Sequence, residues 1–189
     1  MLTRQLVRHP TTPAPVVSLV EVRALQTADG SLQLAYCLRG DMARLRIPEP
    51  TASERRDRLW EHTCFEAFVS VAGTAAYREY NFSPAGEWAA YAFTVYRQRD
   101  RNWALAAAPE ITTRLTAGRL ELEATLAAAA LPPRASGVPL LLGLAAVVEA
   151  ADTVDGSHSY WALRHPAALP DFHHRDGLAL ELVPPPALA

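Results

Sequence analysis

The chain contains no lysine: all 18 of its basic residues are arginine. Schiff-base chemistry and the lysine of a phosphate-binding loop are therefore excluded. Only two cysteines occur, Cys37 and Cys64, without Cys-x-x-Cys spacing. They are too few for a disulfide framework and read as small buried apolar residues. No Gly-x-Ser-x-Gly, dinucleotide-binding or phosphate-loop pattern is present. The apolar stretch at 140–148 is nine residues long, too short to span a bilayer. Near the N-terminus Arg4 and Arg8 are followed by Pro10, Pro13 and Pro15, and no uninterrupted apolar run leads to a cleavage site. A cytoplasmic location with no membrane partner is the expectation. Charge of either sign is also not in excess: 18 basic residues face 20 acidic ones, for a net charge of −2. A broad basic surface for nucleic acid is not expected.

What is present supports a single domain, since 189 residues that are 50% hydrophobic can bury a real core. Thirty-five alanines accompany the all-arginine usage, so arginine number reflects composition more than ligand chemistry. Fifteen prolines leave few windows for a long helix. Between them apolar residues recur with period two. Leu32, Leu34, Tyr36 and Leu38 alternate with more polar neighbours, as do Leu120, Leu122, Ala124 and Leu126. Asp29-Gly30 and Ala117-Gly118 are hairpin signals beside these runs. Further extended segments are expected at 59–71, 75–82, 88–96, 139–148, 158–163 and 177–183. The pattern predicts an all-β fold, an antiparallel β-sandwich of about ten strands, immunoglobulin-like or jelly-roll-like. Residues 1–14 read as a loosely ordered leader, 15–184 as the domain and 185–189 as a tail. Residues 45–58 read as a solvated loop, and 126–131 can form one short helical turn.

Chemistry-bearing residues concentrate between Leu59 and Tyr91. Alternation through the first strand places Leu59, Glu61, Thr63, Phe65, Ala67 and Val69 on one face. Trp60, His62, Cys64, Glu66 and Phe68 take the other. The next strand offers Tyr77, Glu79 and Asn81 on one side and Arg78, Tyr80 and Phe82 on the other. The turn Ser83-Pro84-Ala85-Gly86 is expected to bring Asn81 and Trp88 alongside Trp60 and Glu66. Aromatic rings that stack on a sugar ring, with Glu, Asn and Arg for its hydroxyls, are the ingredients of a carbohydrate site.

These motifs resemble the DOMON-like ligand-binding domains related to family 9 carbohydrate-binding modules. The resemblance is carried by Trp60 and Glu66 in WEHTCFEAFV, by YREYNFSPAGEW, and by SYWALRHP and PDFHHRDGLALEL. It extends over residues 16–183 and implies a β-sandwich that binds a sugar or, in some relatives, haem. By resemblance, Trp60 and Glu66 take the sugar-binding positions. Arg78 or Asn81 supplies the polar residue of the following strand, and Trp161 or Phe172 a second aromatic. His62, Thr63 and Cys64 stand where such relatives carry acidic residues, so calcium sites do not carry over.

The expected ligand-binding set is thus Trp60, His62, Glu66, Arg78, Asn81 and Trp88, joined by Trp161, Phe172 and His173 from the C-terminal motif. The partner is a small sugar-like molecule; no cofactor, metal or catalytic residue is assigned, and the oligomeric state is open. Three alternatives stand beside this. Haem ligation through a histidine and a methionine would need Met42, the only internal methionine. Glu66 and Glu79 could form the acid/base pair of a small sugar-acting enzyme, whose mechanism depends on a separation that alternation does not set. Cys64 beside His62 suggests a thiol nucleophile, without an orienting acid or oxyanion donors.

Overall fold

The computed structural model describes residues 1–14, 16–151 and 157–183. The 185–189 tail lies outside the described residues. Two antiparallel sheets pack face to face. The smaller has five strands in the order β1 (Leu2–Gln5), β3 (Val17–Gln26), β4 (Leu32–Gly40), β10 (Arg119–Leu126) and β9 (Glu110–Thr116). The larger runs β2 (Val7–Arg8), β12 (His158–Ala162), β11 (Leu140–Glu149), β5 (Cys64–Val71), β6 (Tyr77–Phe82), β7 (Trp88–Val95) and β8 (Gln98–Asp100). A short β13 (Leu180–Leu182) joins β11 beyond the end of β12. Among the described residues no helix is long and apolar enough to cross a membrane.

Period-two patterning explains the core. Leu32, Leu34, Tyr36 and Leu38 from β4, with Leu120, Leu122, Ala124 and Leu126 from β10, meet Phe65, Ala67, Val69 and alternate leucines of β11 between the sheets. At about 1.5–3 kcal/mol per buried Leu, Val or Phe, this layer outweighs any surface ion pair, which contributes about 0–1 kcal/mol. The phenols in this layer are satisfied: Tyr80 donates to the Ala130 carbonyl, and Tyr36 of β4 donates its O–H across the core to the Glu66 carbonyl, 2.8 Å away. That bond ties the smaller sheet to the strand on which the site is built.

β5 is buried along its whole length, which a two-layer sandwich alone does not explain. A second apolar cluster on the outer face of the larger sheet accounts for it. Leu59, Cys64, Phe68, Tyr77, Ala89, Tyr91 and Phe93 pack there, with Phe172 and Leu178 over them.

Residues 1–14 are not a loose leader. β1 adds to the edge of β3 and β2 to the edge of β12, while Leu6 between them is 1% exposed in the core. Each sheet had an open edge, and burying Leu6 pins the crossing from one to the other. The first strand of the dense segment is also shorter than expected. Residues Leu59–Glu61 form a 3-10 turn entered through Arg58, whose φ is 69°. The His62 N–H closes that turn on the Leu59 carbonyl at 3.1 Å, and strand geometry begins only at Cys64. The segment 45–58, although mostly exposed, is laced to the β6–β7 turn by bonds between Thr51 and Ala85 and between Trp88 and both Glu54 and Arg56. The helical turn is present as a 3-10 turn, Ala128–Ala130.

Candidate functional site

Register across the larger sheet builds the floor of a cleft on its outer face. Glu66 sits between Ala145 of β11 and Asn81 of β6, and Asn81 lies opposite Ala89 of β7. One step along, Phe68, Glu79 and Tyr91 stand side by side, and beyond them Tyr77 pairs with Phe93. A row flanked by alanines next to a row bearing rings leaves a depression over Glu66. The walls come from outside the sheet. Trp60, 41% exposed on its 3-10 turn, meets Tyr91 edge-on at 6.1 Å. Facing it, the loop after β12 brings Phe172 and His173, and Tyr160 of β12 completes that side. The enclosed space is about 390 Å³, within the size range of small-ligand pockets.

The far wall is fastened by a carboxylate. Asp171 accepts from the Tyr96 hydroxyl and the Arg97 guanidinium, each at 2.8 Å, and from the His173 backbone N–H at 3.2 Å. Burial alone would raise the Asp171 pKa; the bonds from Tyr96 and Arg97 outweigh it and hold it low. The Tyr77 hydroxyl accepts the Arg97 N–H at 3.0 Å and is 2.9 Å from His173 Nδ1. Burial and the Arg97 charge hold the His173 pKa down to about 4. His173 is therefore neutral at pH 7, and its 3.7 Å approach to Glu79 is not an ion pair.

Glu66 and Glu79 are only 3% and 5% exposed, yet both line the cleft. Burial, and then the Glu79 charge, hold the Glu66 carboxyl well above the ordinary carboxylate range. Burial also pushes Glu79 up, to about 7, against the opposing pull of the Asn81 hydrogen bond and of Arg97 and Arg99. Asn81 Nδ2 donates to Glu79 at 2.7 Å, while its Oδ1 is buried without a hydrogen-bond partner. At the rim the Arg99 guanidinium lies 4.2 Å from the Tyr91 ring centre.

Of the residues singled out from sequence, Trp60, Glu66, Phe172 and His173 meet at this cleft, and Asn81 lies fully buried in its floor. Four others do not. His62 ends the 3-10 turn and turns away, its Nδ1 2.9 Å from buried Glu149, because strand alternation does not reach back that far. Arg78 occupies the inter-sheet face of β6, donating to the Ala130 carbonyl at 2.7 Å and lying 4.9 Å over Trp103. Trp88 pairs with core-facing Phe82, so the turn sets Ala89 rather than Trp88 beside Asn81. Trp161 packs in the core and donates its Nε1–H to Ser159 at 3.0 Å, leaving the neighbouring Tyr160 to face the cleft.

Tyr91 and Phe93 were missed because parity counted from Trp88 puts them on the opposite face; Arg97 and Arg99 sit in and after a turn and carry no sequence signal. The Cys64–His62 pairing fails because Cys64 is fully buried, with its thiol pushed far up by burial, and His62 binds Glu149. Met42 packs in the inter-sheet core, not at the cleft, so a histidine–methionine haem pair does not fit. Among the described residues no three His, Cys, Asp or Glu side chains converge to hold a metal ion.

No protein-family model matches the chain, and no curated protein sequence does. Among solved structures, one shares its architecture and another aligns more loosely. A candidate carbohydrate-binding protein from Bacteroides uniformis aligns with a TM-score of 0.66 at 19% identity, over 93% of this chain and 83% of its own. A family 9 carbohydrate-binding module from Caldicellulosiruptor kristjanssonii, solved with glucose, aligns with a TM-score of 0.48 at 11% identity, over 81% of this chain and 69% of its own. The chain has the β-sandwich fold of the Bacteroides uniformis protein.

Proposed function

We propose that the protein is a non-catalytic binding module whose cleft takes one small polyhydroxylated ligand, a sugar or a close analogue. The observation that carries this reading is a floor of buried carboxyl and amide groups inside a wall of rings. Trp60 and Phe172 offer apolar faces to a sugar ring, and Glu66 and Glu79 accept from its hydroxyls. The sequence resemblance to the DOMON-like domains agrees with it, as does the name of the Bacteroides uniformis neighbour. Isothermal titration against a monosaccharide panel tests the idea. Trp60→Ala should abolish binding at a cost below about 1 kcal/mol in stability, because the ring is already half in water. A loss of about 3–5 kcal/mol would identify Trp60 as a packing residue instead. The paired glutamates favour one second reading, glycoside hydrolysis through Glu66 and Glu79. Turnover of chromogenic glycosides that vanishes in Glu66→Gln would replace the first reading with that one.

A further inference from the structure

The polar groups at the bottom of the cleft offer more acceptors than the chain supplies donors: Glu79 accepts from Asn81 alone among side-chain amides, and Asn81 Oδ1 is left without a partner. Glu66 and Glu79 project from adjacent strands onto one face, and neither carboxyl receives a bond from an arginine or lysine among the described residues. Asn81, opposite Glu66 and bonded to Glu79 through Nδ2, leaves its Oδ1 buried and unpaired beside them. The nearby guanidiniums do not fill the gap. Arg97 is committed to Asp171 at 2.8 Å, and Arg99 lies on the Tyr91 ring at the exposed rim. The surroundings of the pair are rings: Trp60, Phe68, Tyr91, Phe93, Tyr160 and Phe172 all line the same cleft. Paired carboxyls enclosed by π faces are the complement of a group that is cationic, rich in donors and partly apolar. An ammonium has three donors and no acceptor, and ring faces attract it further.

We infer that the ligand carries a protonated amine, and that this ammonium seats between Glu66 and Glu79 under the rings of the cleft. The inference rests on the sugar-site reading and narrows it to an amino sugar or a related polyhydroxylated amine. With a neutral sugar the pair must keep at least one carboxyl protonated, or else leave two like charges facing each other in a buried site. A cation removes that conflict, since each carboxylate then has an opposite charge in contact.

The test titrates the protein with glucosamine, glucose, N-acetylglucosamine and methylammonium chloride, read by calorimetry and by the part of the tryptophan fluorescence change that Trp60→Phe removes. Glucosamine should bind at least about tenfold more tightly than glucose or N-acetylglucosamine. In Glu66→Gln and Glu79→Gln that preference should disappear. Both variants keep the side-chain shape and replace a carboxyl whose ionisation burial opposes, so their melting temperatures should not fall. A preference that survives both substitutions would overturn the seat. Equal affinity for glucose and glucosamine would overturn the amine and leave the sugar site standing. Binding of methylammonium with no sugar bound would uphold the cation seat and overturn the sugar reading. No binding of any of the four probes would overturn both.

Discussion

Replacing Glu79 with glutamine should stabilise the protein, by an amount that depends on pH. Glutamine retains an oxygen to accept the Asn81 Nδ2–H, now 2.7 Å away, and removes a charge that burial opposes. The Glu79 pKa is held at about 7 against an ordinary value of 4.5. Between those values the folded chain keeps a proton that the unfolded chain has lost. The contribution of Glu79 to stability is therefore complete below pH 4.5 and is lost as pH rises to about 7. At about 1.4 kcal/mol per pH unit, the loss is about 3 kcal/mol once the window is passed. His173 acts in the opposite sense, because its folded pKa of about 4 lies below the ordinary 6.5. The folded state binds fewer protons there, so this contribution grows as pH rises from about 4 to 6.5. The two slopes offset each other through much of the range, and the signal lies in the difference between variant and wild type. Glu66 on β5, Tyr77 on β6, Tyr91 on β7 and the two rim arginines also face Glu79. Burial holds the Tyr77 and Tyr91 hydroxyls above their ordinary range, so they stay protonated here, and Glu66, relieved of a neighbouring charge, shifts its pKa down, in the same direction. Urea unfolding of both proteins near pH 4.5, 6 and 8 should give a stability difference that starts close to zero and grows to about 3 kcal/mol. A difference that stays constant across pH would refute a buried, proton-holding carboxyl at this position.

Gly86→Val should cost about 1–3 kcal/mol through backbone strain, since Gly86 has φ +98° and a Cβ there would meet only Thr51 O at 3.6 Å. Because the turn sets core-facing Trp88 and not a cleft residue, the folded fraction should keep its ligand affinity; thermal melts beside titrations check both. A thiol reagent should label half-buried Cys37 first and fully buried Cys64 only after denaturation, with counts from mass spectrometry. Asp171→Ala frees Tyr96 and Arg97 from the far wall and should weaken ligand binding about tenfold. Its melting temperature should stay close to wild type, because the partner Arg97 is half exposed; a collapse in melting would make Asp171 a structural brace instead.

Much of the architecture was legible because strand parity is local. Along Cys64–Val71 and Tyr77–Phe82 extended backbone sends alternate side chains to opposite faces, so Glu66 had to oppose Phe65 and Ala67, and Glu79 and Asn81 had to oppose Tyr80; the β5–β6 register then put the three polar residues on one face. Where residue type was weighed above parity, the reading failed. Trp88 and Trp161 were chosen as rings, yet Ala89, Tyr91 and Tyr160 hold the positions that face outward. Trp60 met the cleft through a 3-10 turn rather than through the strand expected to carry it.

The sequence by itself determined the alternation and the hairpins, both consequences of dihedral preference within a few residues. Only the tertiary structure decided that the face bearing Glu66 and Glu79 is covered at all. Arg97 grips Asp171, 74 residues away, and Leu6 fills the core from a segment with no strand signal of its own. Such contacts form because burying apolar surface and satisfying a buried carboxylate stabilise the closed arrangement as a whole. That gain depends on what else is nearby in space, and spacing along the chain does not encode it.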